Sequence, residues 1–253
     1  MSESHIVSSF DHELDELRSV ISRMGGLVEE QLANAIQAIA RRDEAMAARC
    51  VEADHAIDAM EDQVEALTLR MLALRQPVAQ DLRAILAALK ISHDLERMGD
   101  YATNVAKRAS ALSQLPEVGP VNGIARMGRL THRIITDVLD AYTESDVERA
   151  MVAWQRDEEI DQMYTSLFRE LLTYMMEDPR NITACAHLLF VAKNIERIGD
   201  HGTNIAETVY FQETGRRLEG ARPKGDQSSF AVVRPSEADD LGSDDLDSGD
   251  GSS

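Results

Sequence analysis

Cysteine is nearly absent from this sequence: Cys50 and Cys185 are the only two in 253 residues. Each falls in an apolar helical pattern, and two cysteines make no disulfide framework. Both therefore read as small buried hydrophobes in a reducing compartment. Aromatic residues are scarce at 4%, whereas Ala, Leu, Ile and Met are plentiful and charged residues reach 28%. That mixture suits stacked amphipathic helices better than sheets. No run approaches the 18 apolar residues that a membrane-spanning helix requires. The opening MSESHIVSSFDHELDEL lacks both the basic and the apolar regions of a secretory signal, so a cytoplasmic location is expected. Basic residues are short as well: 26 Lys and Arg face 45 Asp and Glu, a net charge of −19. A nucleic-acid face needs clustered cations, so nucleic acid is not the expected main partner. There is no Gly-rich phosphate loop, no recognisable Ser/His/Asp arrangement and no Cys nucleophile, which argues against an enzyme.

What the chain does have is helical periodicity. From Phe10 to Ala40, Leu14, Leu17, Ile21, Met24, Val28, Leu32, Ala35 and Ile39 recur at intervals of three and four. Gly25-Gly26 interrupts this run at about 1 kcal/mol per Gly relative to Ala, which predicts a kink or a close contact. Asp43 caps a second helix running to about Arg75, Pro77 punctuates, and a third helix runs from about Ala79 to Ser113. QLPEVGP at 114–120 reads as a linker. The pattern then restarts with a helix over about 122–142. Ser145 and Glu148 form a capping box for another helix to about Glu177, Asp178-Pro179 turns the chain, and a last helix covers about 182–214. ADHAID at 53–58 aligns with RDEEID at 156–161 at a shift of 103, and DLERMGDYATNVA aligns with NIERIGDHGTNIA at a shift of 100. The expected fold is all-α, with two tandem, sequence-related three-helix bundles over 6–113 and 121–215. Residues 216–253 read as an extended, disordered acidic tail, with seven acids and one Arg between Ala231 and Ser253.

Each unit holds two acidic pairs at i, i+4. They are Asp54/Asp58 and Glu96/Asp100 in the first, and Asp157/Asp161 and Glu196/Asp200 in the second. Carboxylates at this spacing share a helix face and repel unless a cation or partner offsets them. In an antiparallel hairpin, residues equidistant from the turn come level. Positions 58 and 96 share the midpoint 77 with 54 and 100, while 161 with 196 and 157 with 200 share 178.5. Glu96 is thus expected beside Asp58, and Glu196 beside Asp161, as carboxylate rungs about 5.4 Å apart. Such an oxygen-rich set suits Mg²⁺, Mn²⁺ or iron. Asn104 and Asn204 stand one turn beyond as further oxygen ligands or orienting groups, and Arg97 and Arg197 are placed to pair with acids of the neighbouring helix. Gly99 and Gly199 allow an ion or another helix close to the backbone. No Cys or His joins the repeated pattern, which disfavours zinc.

The alternative to a cation site is a pair of solvated acidic faces on a helical scaffold. A carboxylate di-iron enzyme is a further alternative, since Glu52 and His55 form a Glu-x-x-His element of the kind such bundles use. The second unit has Gln155 and Glu158 at the equivalent places, so the element is not repeated, and His55 reads as a surface residue.

At DLERMGDYATNVAKR, NIERIGDHGTNIAE and LALRQPVAQDLR the sequence resembles the PhoU family of regulators of bacterial phosphate uptake, over roughly 6–215, with RPKGDQSSF at 222–230 resembling the ending of some members. The resemblance implies metal ions on the eight acids named above and a cytoplasmic, non-enzymatic, often homodimeric protein. It also implies two partners, the ATPase PstB of the phosphate-specific ABC transporter and the phosphate-sensing histidine kinase PhoR. The kinase would be restrained from switching on the phosphate-starvation genes while phosphate is plentiful. Tyr101 becomes His201 and Asp94 becomes Asn194 between the units, so the two sites need not be equal in affinity.

Overall fold

The computed structural model describes residues 2–75 and 77–219, so the expected tail lies outside the described residues from Gly220 onward. The chain forms seven α-helices among these residues: α1 (Ser2–Arg41), α2 (Glu44–Arg75), α3 (Ala79–Ser113), α4 (Val121–Glu144), α5 (Val147–Gln155), α6 (Asp157–Glu177) and α7 (Ile182–Thr214). A short 3₁₀ turn at Pro179–Asn181 precedes α7. No strand occurs among the described residues.

The first unit follows its periodicity closely. Leu17, Ile21, Met24, Val28, Leu32, Ala35 and Ile39 are all buried. Asp43 caps α2, accepting from the Met46 N–H at 2.9 Å. α1 runs unbroken through Gly25-Gly26, and the two glycines do different things. A Cβ on Gly25 would lie 2.6 Å from Leu139 Cδ1 of α4, whereas one on Gly26 would meet nothing within 4 Å. Gly25 is therefore a point of helix approach and not a kink.

The second unit departs from expectation twice. The α5 cap is Asp146, whose side chain accepts from the Arg149 N–H at 2.9 Å. Ser145 instead closes α4 in the left-handed conformation, φ 53°, so the Ser145/Glu148 capping box does not form. The helix expected to run to Glu177 is broken at Arg156. There Arg156 donates its N–H to Ala153 and accepts from Glu159, both three residues away, and its guanidinium pairs with Asp137 of α4 at 2.6 Å. No Gly or Pro marks this break in the sequence.

The units pack through α3 against α7 and α1 against α4, the α3–α7 contact being the most extensive among the described residues. Arg23-Met24-Gly25 recurs as Arg126-Met127-Gly128 at the same shift of 103 that relates Ile36 to Leu139. Gly25 receives Leu139, and Gly128 receives Ile36. The two halves are thus related by an approximate two-fold. Along α3 and α7 the partners run in opposite directions: Asp94 with His201, Tyr101 with Arg197, Arg108 with Phe190.

Candidate functional site

The repeated Glu-Arg-x-Gly-Asp motif has two faces, and the fold uses them differently. One face lies on the seam between the units. Arg97 and Arg197 both stand over the Tyr101 ring, at 5.8 and 5.6 Å from its centroid, and Tyr101 stacks near His201 at 5.7 Å. His201 Nδ1 lies 2.7 Å from Asp94 Oδ1, to which Asn204 also donates at 3.3 Å. Asn204 therefore serves the inter-unit seam. Arg97 forms its ion pair within its own helix, with Asp100 at 3.1 Å, and not across the hairpin. Asn104 is exposed, as is Arg197.

The other face meets the preceding helix of the same unit. The motif glycines create that approach. A Cβ on Gly99 would lie 3.0 Å from Ile57 Cδ1 and 3.5 Å from Asp54 Oδ1; one on Gly199 would lie 2.7 Å from Ile160 Cδ1 and 3.3 Å from Asp157 Oδ1. The first acid of each Asp-x-x-x-Asp pair is thereby held against the backbone of the facing motif. Beneath Gly99, the buried Gln31 amide donates to Asp54 at 3.2 Å, to Thr103 at 2.8 Å and to the Cys50 carbonyl at 3.2 Å, while its Oε1 accepts nothing.

Glu196 is 5% exposed, with Asp157 and Asp161 as deeply buried at 2% and 4%. Burial, reinforced by Asp200 and Asp161 and opposed by a hydrogen bond from Lys193, pushes the Glu196 carboxyl up to about 7. Its Oε1 takes the Lys193 ammonium at 2.7 Å, and its buried Oε2 accepts no hydrogen bond. In the first unit, burial and then the carboxylates of Asp100 and Glu61 likewise push Glu96 up to about 7.

Glu61 was not among the expected acids. The Asp58 side chain is 53% exposed and lies 3.7 Å from His55 of its own helix. Glu61, one turn further along α2, faces Glu96 and sits 3.2 Å from His93 Nδ1. Glu61, His93 and Glu96 bring one ligand atom each within 4.8 Å of one another. The signal was available in the numbering: 61 and 93 share the midpoint 77 with the two expected rungs, and 164 and 193 share 178.5. The second unit makes its own version of this third rung, with Lys193 Nζ 4.8 Å from the centroid of the Tyr164 ring. Glu52 and His55 are both exposed on the outer side of α2. The Glu-x-x-His element therefore does not point into the bundle, as a di-iron centre requires.

Two tandem helical bundles, each with acidic pairs carried on a close-packed hairpin, define a duplicated, carboxylate-bearing all-α protein. The PhoU domain matches residues 21–109 and again 124–209, and the chain belongs to the PhoU family. It is 53% identical over 223 residues to a protein of Caulobacter vibrioides, covering 88% of this chain and 97% of that one. It is 49% identical over 231 residues to one of Rhizobium meliloti, covering 90% and 97%. Both carry the name phosphate-specific transport system accessory protein PhoU homolog. The crystal structure of PhoU from Pseudomonas aeruginosa is similar with a TM-score of 0.78 and 39% identity, over 82% of this chain and 100% of that one. The phosphate transport system regulatory protein PhoU from Streptococcus pneumoniae is similar at 0.76 and 33%, over 83% and 99%.

Proposed function

We propose that this protein is a non-catalytic, cation-loaded regulator of phosphate uptake. It links the ATPase PstB of a phosphate-specific ABC transporter to the histidine kinase PhoR, holding the starvation response off while phosphate is plentiful. The names borne by relatives that match it along nearly their full length support the regulatory role. Cation loading rests on one observation: in each hairpin the first acid of the Asp-x-x-x-Asp pair, Asp54 or Asp157, is held against the glycine of the facing Glu-Arg-x-Gly-Asp motif, which gathers carboxylates of two helices on one face, and there Glu96 and Glu196 are both pushed up to about 7. A carboxyl with that displacement gains from a bound cation. The donor set of Asp54, Glu96 and Asp100, with Asp157, Asp161, Glu196 and Asp200, is all oxygen and suits Mg²⁺, Mn²⁺ or iron, whereas Asp58 turns outward beside His55 and is left out of the first-unit set.

Catalysis is not part of the proposal. The Cys50 and Cys185 thiols are buried and pushed up, away from the nucleophilic thiolate. Binding is the role these residues fit: a cation on the acidic face offers an anchor for a partner's carboxylates or for phosphate. No helix among the described residues is long and apolar enough to cross a membrane. A cytoplasmic homodimer acting on the inner face of the transporter is the proposed setting.

Metal analysis of protein purified without chelator tests the cation, and is expected to find Mg, Mn or Fe. Replacing Glu96, Asp100, Glu196 and Asp200 together by Ala should abolish loading while far-UV circular dichroism stays helical. Wild-type protein that neither contains nor takes up any such ion would sink this part. Deleting the gene tests the regulatory part and should give constitutive alkaline phosphatase in phosphate-rich medium, where unchanged repression would count against it.

A further inference from the structure

We propose that the first unit carries an additional divalent-cation site of mixed nitrogen and oxygen ligands, Glu61–His93–Glu96. In the second unit the Lys193 ammonium fills the corresponding place. The inference rests on the cation reading of the acidic hairpins and shares Glu96 with it, but it adds two residues, Glu61 and His93, that belong to none of the repeated pairs.

The first observation is geometric. Glu61 on α2 and His93 and Glu96 on α3 place a carboxylate oxygen, an imidazole nitrogen and a second carboxylate oxygen within 4.8 Å of one another, with Glu61 Oε1 and His93 Nδ1 already at 3.2 Å. Ligands on a tetrahedral zinc-like ion stand about 3.4 Å apart when each bond is about 2.0–2.1 Å long. His93 is 68% exposed and Glu61 29%, so the fourth position opens to solvent.

The second observation is independent and comes from the other half of the chain. The shifts that relate the units carry Glu96 to Glu196, His93 to Lys193 and Glu61 to Tyr164. Lys193 Nζ lies 2.7 Å from Glu196 Oε1 and 4.8 Å from the Tyr164 ring centroid. A positive charge therefore sits in this place in the second unit, supplied by the chain itself and shared between a carboxylate and an aromatic face. The first unit has no Lys or Arg there. It has instead two carboxylates and an imidazole, and Arg97, the residue after Glu96, is engaged with Asp100. The same cradle is built twice, once with its cation covalently attached and once with ligands for a free one.

The ligand set fixes the class of ion. An imidazole nitrogen shifts preference from Mg²⁺ and Ca²⁺ toward Zn²⁺, Co²⁺ or Ni²⁺, unlike the all-oxygen pairs further along the hairpin. The two units are then chemically different: the first responds to a borderline divalent ion, and the second is insensitive to it.

The experiment uses the full chain after chelator treatment, titrated with Zn²⁺ by calorimetry at pH 7.5. X-ray absorption is then recorded at one equivalent of Zn²⁺. Wild type is expected to show one imidazole among its zinc ligands. H93A and E61Q should each weaken the first Zn²⁺ site by tenfold or more, and H93A should lose the imidazole scattering. H55A, which alters an exposed histidine outside the cradle, should leave both unchanged. Y164E/K193H should add a second site of the same kind. Circular dichroism separates loss of a ligand from loss of fold, and His93 is exposed enough to be replaced without unfolding. Zinc affinity and imidazole scattering that survive in H93A overturn this inference while leaving the acidic pairs free to take Mg²⁺ or Mn²⁺. A protein that binds no divalent ion of any kind overturns both readings.

Discussion

Glu96 and Glu196 show how a side chain of ordinary acidity becomes a liability that the fold tolerates. Both carboxyls rise from 4.5 to about 7 on folding. Below pH 4.5 they are protonated in both folded and unfolded chains. Between 4.5 and 7 the folded state holds more protons, so their contribution to stability falls as pH rises through that window and levels off above it. Urea midpoints of chelator-treated protein at pH 5 and pH 8 should therefore converge in E96Q/E196Q relative to wild type. The difference is expected on the order of 1 kcal/mol, because solvent reaches Glu96 and screens it. A variant whose pH dependence matches wild type would contradict the assignment. The same residues mark the limit of the sequence. The i, i+4 pairs and their level across the hairpin were legible, since both follow from counting. That Asp58 turns outward while Glu61 turns in was not, because levels say nothing about rotation about the helix axis.

Helices were the most legible part of the molecule, and their ends the least. The bounds of α3 and α7 match the periodic runs, because Pro77 and Asp178-Pro179 stop the preceding helices where the apolar stripe also ends. The break between α5 and α6 was invisible, since it depends on Arg156 reaching Asp137 on α4, a tertiary contact with no local signature. Two predictions belong at this scale. D146A should lose about 1 kcal/mol by leaving the first turn of α5 uncapped, whereas S145A should cost far less, read from denaturation midpoints. The glycines of α1 and α4 should split by environment. G26A gains up to about 1 kcal/mol of helix propensity in open space, while G128A drives a methyl into Ile36 and loses about 1–3 kcal/mol. I36A alongside G128A should recover part of that loss.

At the scale of the whole molecule, the duplication itself was legible from two shifts, 103 and 100. How the copies face each other was not, because the seam depends on which residues of α3 and α7 meet. A cation bound only by the folded form stabilises it by mass action, about 2.7 kcal/mol at a hundredfold excess over the dissociation constant. Chelator should therefore lower the melting temperature by roughly several degrees for a chain of this size. An unchanged melting temperature in a protein shown to release its metal would mean that the unfolded chain holds the ions as well as the folded one, contradicting a site built by the folded hairpins.

The reciprocal seating of Leu139 on Gly25 and Ile36 on Gly128 has a consequence for the connection between the halves. Each half presents to the other the surface that a self-associating ancestor would present to its own twin, so the linker acts as a tether between subunits that already fit. Cutting the chain within 114–120, through an inserted protease site, should leave the two fragments co-eluting as one particle. Either fragment, expressed alone, should seek a second copy of itself.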